Sequence, residues 1–150
     1  MSFKSVDEIL DFAISKEEAS AQFYAGLAKR MERPAMREVF VEFAREEIKH
    51  KTKLMDIKEG KALQPAQEKV MDLKVADYVV DVEPGPGMDF EDALILAMKM
   101  EKAAFRLYTD LSQSTNDPSL RSTLEALAQE EARHKLRFEL EYDQHVQQEN

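Results

Sequence analysis

The chain has 150 residues, 34% charged and 43% hydrophobic, with a formal net charge of −9. That length suits one domain with a real core, and the acidic balance argues against a nucleic-acid partner, which would need a basic face. With no cysteine present, disulfides, zinc–thiolate sites, iron–sulfur clusters and a cysteine nucleophile are excluded.

Long stretches rich in Ala, Leu, Glu, Lys, Met and Arg favour helix, and four helices are predicted. The first runs over about 5–31, opening at Ser5 and Glu8, which have capping-box spacing. The second runs over about 34–59, from Pro34 in a first helical turn to Gly60 as its C′ residue. A long connection over about 61–88 follows. It contains Pro65, a short helix or strand around Val75 to Val80, and the breaker run from Glu83 to Gly87. The third helix is predicted over about 89–114, and the fourth over about 117–146, opened by Asp117-Pro118. Tight joints at Glu32-Arg33 and Thr115-Asn116 make antiparallel neighbours. The long middle connection allows a crossover. The predicted fold is therefore all-α: a single four-helix bundle of two antiparallel helical hairpins.

The two hairpins repeat. A shift of 84 positions superposes residues 10–57 on 94–141 without a gap, giving 13 identities in 48 pairs. Among them Glu17 falls on Glu101, Tyr24 on Tyr108, Arg37 on Arg121, Glu47 on Glu131 and His50 on His134. A chance resemblance would not keep the polar residues in step with the apolar seams.

Those seams carry the functional signal. The first helix presents Leu10, Ala13, Glu17, Ser20, Tyr24 and Leu27 at three-and-four spacing. The second presents Met36, Phe40, Phe43, Glu47, His50, Leu54 and Ile57. The third reads Leu94, Ala97, Glu101, Ala104, Tyr108, Leu111, and the fourth Leu120, Leu124, Leu127, Glu131, His134, Phe138. Each is apolar at both ends with a glutamate in the middle. An unpaired buried carboxylate costs several kcal/mol, and four together repel one another. A dication reverses that balance, because it takes carboxylate and imidazole ligands directly. Glu17 lies 17 positions before Pro34, and Glu47 and His50 lie 13 and 16 after it. At about 1.5 Å per residue all three sit roughly 20–25 Å from the joint. Glu101, Glu131 and His134 repeat this around Pro118. Four carboxylates and two histidines are what two metal ions need.

Tyr24 and Tyr108 read first as core tyrosines, with a bond to a ligand carboxylate as a second role. Glu46 and Glu130 fall off the seam and are expected in solvent. His145 lies about 16 Å beyond His134 along the helix, too far to join the site, and is expected at the surface or in a frayed end.

The order Glu, Glu-x-x-His, Glu, Glu-x-x-His resembles the ferritin-like di-iron carboxylate proteins, whose ligand set is a general pattern of such bundles. Within them the chain is most similar to the rubrerythrin-like group. The resemblance implies that Glu17, His50, Glu101 and His134 are terminal ligands and that Glu47 and Glu131 bridge. It implies two iron ions, although manganese or a mixed pair takes the same ligands. It also implies reduction of peroxide or dioxygen with an external electron donor. Ferroxidation and iron sequestration without turnover are the alternatives, and a purely structural bundle is a third reading. It further suggests a homodimer. Three departures stand out. The chain lacks the cysteines of a rubredoxin domain, has Ala104 where rubrerythrins carry an extra glutamate, and ends before the short fifth helix of cage-forming bacterioferritins, so a 24-subunit store is not expected. With neither a signal-like apolar run at Met1-Ser2-Phe3-Lys4 nor a membrane-length apolar stretch, the expected setting is cytoplasmic, without a membrane partner.

Overall fold

The reasons for the helix boundaries can be read at each end. In α1 (Val6–Arg30) the Ser5 hydroxyl accepts the Glu8 N–H at 3.0 Å, satisfying a donor that the first turn leaves without an intrahelical partner. Asp7 and Glu8 place negative charge at this end, and Lys29 and Arg30 place positive charge in the last turn, both favourable to the helix dipole. Met31 then turns to an extended conformation, and α2 (Pro34–Gly60) begins on proline, whose missing N–H costs nothing in a first turn. Asp89 caps α3 (Phe90–Gln113) by accepting from Asp92 N at 2.8 Å. Asp117 caps α4 (Pro118–Glu149) by accepting from Ser119 N at 2.9 Å and Leu120 N at 3.3 Å.

This computed structural model describes residues 2–60, 73–80 and 88–149. It divides into two compact units, Ser2–Asp72 and Leu73–Asn150, the latter together with Met1; each carries one helical hairpin.

In the first unit α1 and α2 lie antiparallel. Lys51 donates to Glu18 at 3.0 Å and Lys58 donates to Asp11. The partner moves back along α1 as the lysine moves forward along α2, as antiparallel axes require. The buried face brings together Ile9, Leu10, Ala13 and Leu27 of α1 with Phe40, Phe43 and Leu54 of α2. Aromatic rings interlock at the joint end: Tyr24 meets Phe43 at 6.3 Å and Phe40 meets Phe43 at 6.1 Å, both edge to face, the geometry aromatic pairs prefer. At the other end Phe3 packs edge-on against Phe12.

In the second unit α3 and α4 bury Leu94, Leu96, Ala97, Leu107, Leu111, Leu124, Leu127 and Phe138. A 3₁₀ turn at Val75–Asp77 precedes them. Tyr78 pins that turn to α3: it is buried, and its hydroxyl donates to Asp110 at 2.6 Å.

Of three local expectations, one is overturned and two are narrowed. Gly60 is the last residue of α2, in helical conformation and not a left-handed C′ residue. The predicted element around Val75 to Val80 is only the 3₁₀ turn. His145 is not frayed: α4 continues past it, and its ring sits edge-on against Phe90 at 5.1 Å. Residues 61–72 and 81–87 of the long connection, Pro65 and the Glu83–Gly87 breaker run included, lie outside the described residues.

Candidate metal centre

In the first hairpin, α1 contributes Glu17 and α2 contributes Glu47 and His50. The two α2 residues are three positions apart, so one helical face presents both. All three are buried, at 2%, 1% and 1% exposure. His50 Nδ1 lies 3.5 Å from Glu17 Oε2 and 3.5 Å from Glu47 Oε1. Within this triad one ligand-type atom from each residue falls within 4.8 Å of the others.

The second hairpin repeats the arrangement with Glu101 from α3 and with Glu131 and His134 from α4. These are at least as deeply buried, at 1%, 1% and 0%. His134 Nδ1 lies 3.6 Å from Glu101 Oε1, and one ligand-type atom from each residue again lies within 4.8 Å of the others.

Two ligands on one metal ion, each about 2.0–2.2 Å from it, stand roughly 3–3.5 Å apart. The imidazole–carboxylate spacings, 3.5 Å in the first hairpin and 3.6 Å in the second, lie at or just beyond the long end of this range, and exceed a usual N–H···O bond of about 2.7–3.2 Å. Oxygen and imidazole donors without thiolate suit iron or manganese. On donor chemistry and spacing, the triads fit a metal ion.

The surroundings separate these carboxylates from their neighbours in sequence. Glu18, beside Glu17, points outward, and its hydrogen bond from Lys51, followed by one from Gln22, holds its carboxyl below the usual glutamate range. Glu46 and Glu130 are half-buried, not fully solvated as their off-seam positions suggested. Tyr24 and Tyr108 are fully buried two turns from Glu17 and Glu101. The seam also holds Glu141, buried and 3.5 Å from Arg137; an ion pair four positions apart on one helix was readable in the sequence.

The rubrerythrin family pattern matches residues 8–142, nearly the whole chain. The chain belongs to the rubrerythrin family. A crystal structure of a protein from Thermotoga maritima, described as a ferritin-like diiron-carboxylate protein, superposes with a TM-score of 0.79 at 19% identity. The alignment covers 95% of this chain and 97% of that one, and it establishes an all-α, ferritin-like four-helix fold for this rubrerythrin-family chain. No curated protein matches it. Family and buried Glu/His cluster together point to iron binding. Among the described residues no helix is long and apolar enough to cross a membrane.

Proposed function

We propose that the two triads form one centre for two iron ions and that the protein reduces peroxide, or dioxygen, with electrons from an external donor. One observation carries this reading: the same Glu, Glu, His triad is buried at the same register in both hairpins of a single chain. In this proposal Glu17, His50, Glu101 and His134 would each serve one ion, and Glu47 and Glu131 would serve both. Manganese or a mixed pair would use the same donors.

An iron pair held by these residues would supply two electrons at once to an O–O bond. The overall change is balanced: peroxide takes two electrons and two protons and leaves as two waters. The chain's own contribution is placement and charge. Four carboxylates offset four positive charges, and the imidazoles bind as neutral donors. Within each hairpin buried apolar residues precede the first glutamate by one and two turns, Ala13 and Leu10 before Glu17 and Ala97 and Leu94 before Glu101, limiting the water that reaches the ligands. Tyr24 and Tyr108, each two turns away on the other side, are proposed to hold Glu17 and Glu101 in orientation through their hydroxyls.

Anaerobic ferrous loading followed by rapid mixing with peroxide tests the proposal. Fast oxidation that repeats after re-reduction is expected. Oxidation no faster than that of free ferrous ion would sink the enzymatic reading and leave sequestration.

Ferroxidation is the second reading: this chain offers no thiolate ligands for a rubredoxin-type iron, so electrons come either from a separate donor or from incoming ferrous iron. Under that reading two ferrous ions are consumed per peroxide without any added reductant.

A further inference from the structure

The seams of α1 and α3 are tight except at one matching place. In α1 Ala13, Glu17, Tyr24 and Leu27 are exposed by 2% or less, while Ser20, one turn past Glu17, keeps 8%. In α3 Leu94, Ala97, Glu101, Tyr108 and Leu111 are buried, while Ala104, one turn past Glu101, is half-buried. The shift of 84 positions superposes Ser20 on Ala104. The α1 and α3 seams are thus most open beside their glutamates, and an opening this narrow admits only a small molecule.

What differs between the two places is a hydroxyl. A serine or threonine inside a helix commonly returns its hydroxyl to the carbonyl three or four residues back, as Thr52, Ser112 and Thr123 do at 3.2, 2.7 and 3.2 Å. Ser20 makes no such bond. Among the described residues its hydroxyl has no hydrogen-bond partner, although the residue is buried. A buried hydroxyl left in this state is costly, and alanine at the sister position shows that the architecture does not require one. Ser20 and Glu17, three positions apart, share one face of α1, which puts their Cβ atoms about 5–6 Å apart. The hydroxyl therefore stands within a small molecule's reach of a carboxylate of the first triad.

We infer that Ser20 is a substrate-binding residue, whose hydroxyl receives hydrogen peroxide at the opening beside Glu17 and holds it next to the metal ligands of the first hairpin. This rests on the reading of the triads as an iron centre. A hydroxyl suits the ligand, because it donates one hydrogen bond and accepts another, and peroxide has both kinds of group to offer. Ala104 can do neither, so the two halves of the centre are unequal: the first hairpin holds the peroxide and the second does not.

The test is titration of the oxidised, iron-loaded full chain with azide, a small anion standing in for peroxide, followed by visible absorption. Ser20→Ala should weaken azide binding about fivefold to tenfold, the loss of one hydrogen bond. It should also raise KM for peroxide with kcat nearly unchanged, as loss of binding common to ground and transition states does. Ser20→Thr should keep the azide affinity, and Ser20→Val, of the same shape without the hydroxyl, should lose it. Iron content should match the parent's in all three variants. The metal-free Ser20→Ala protein should melt no lower than the metal-free parent, since no bond within the protein is broken.

An azide affinity unchanged in both Ser20→Ala and Ser20→Val would overturn the inference. A lower melting temperature of metal-free Ser20→Ala would do the same, because the hydroxyl would then be holding the fold. Peroxide turnover reads the proposed function separately. Azide binding that depends on Ser20 in a protein without rapid turnover supports the binding role while the enzymatic reading fails; rapid turnover with azide binding indifferent to Ser20 means the reverse.

Discussion

Arg37 and Arg121 perform the same task at the two hairpin joints. Arg37 donates to the Met31 carbonyl at 3.0 Å, and Arg121, 84 positions later, donates to the equivalent Thr115 carbonyl at 2.9 Å. Each guanidinium reaches back from the first turn of the returning helix and takes up a carbonyl that the end of the preceding helix leaves without an intrahelical partner. This fixes where the chain reverses, and hence how far from the joint the two helices present their glutamates.

Arg121 makes a further bond, to the Ser112 carbonyl at 3.2 Å. Arg121→Ala is therefore expected to destabilise by about 1–2 kcal/mol and Arg37→Ala by about 0.5–1 kcal/mol, following the ordinary net value of about 0.5–1.5 kcal/mol for each such partly exposed hydrogen bond. Urea unfolding of the metal-free proteins measures both, and the order of the two effects is the sharper test.

Glu47→Gln keeps the shape of a proposed bridging ligand and removes its charge. Iron content should fall from two per chain to one or fewer, with loss of rapid peroxide-driven oxidation. The metal-free variant should be more stable than the metal-free parent by about 1–3 kcal/mol, since a neutral amide replaces a carboxylate buried close to that of Glu17. Elemental analysis and chelator-treated unfolding curves check the two halves of this expectation.

Tyr78→Phe removes the hydroxyl that donates to Asp110. At neutral pH the loss should be about 1–2 kcal/mol. Burial, and then the hydrogen bond to Asp110, raise the phenol above its ordinary value of 10.0. A group with a raised folded-state pKa contributes stability that is complete below its unfolded value and is lost as pH climbs beyond it. The parent should therefore lose stability above about pH 10 more steeply than Tyr78→Phe. Thermal melts between pH 8 and 11, about two units below to one above the tyrosine range, make the comparison.

Asp117 accepts two backbone N–H groups and Ser5 only one. Asp117→Ala should cost about 1–2 kcal/mol and Ser5→Ala about 0.5–1 kcal/mol. Equal losses in urea unfolding would show that the second, 3.3 Å contact to Leu120 N contributes nothing.

Much of this was legible before any coordinates. Helix starts at Ser5, Pro34, Asp89 and Pro118 follow from chemistry confined to four or five neighbouring residues. The seams follow from a fixed helical period, which put Glu17, Glu47 and His50 on core faces before their burial was known. Boundaries set by weak local preference were less secure. Gly60 can end a helix in a left-handed turn or simply complete it, and α2 does the latter.

The linear chain determined which side chains share a face and how far each lies from its joint, because both depend only on the pitch of one helix. Tertiary structure decided how close they come: His50 Nδ1 at 3.5 Å from two carboxylates, Glu46 half-buried despite its place off the seam, and Tyr78 held by an aspartate 32 positions away. Those outcomes depend on how two helices are rotated against each other and on what packs over them. A helical repeat does not encode that rotation; the fit of unlike side chains across the hairpin sets it.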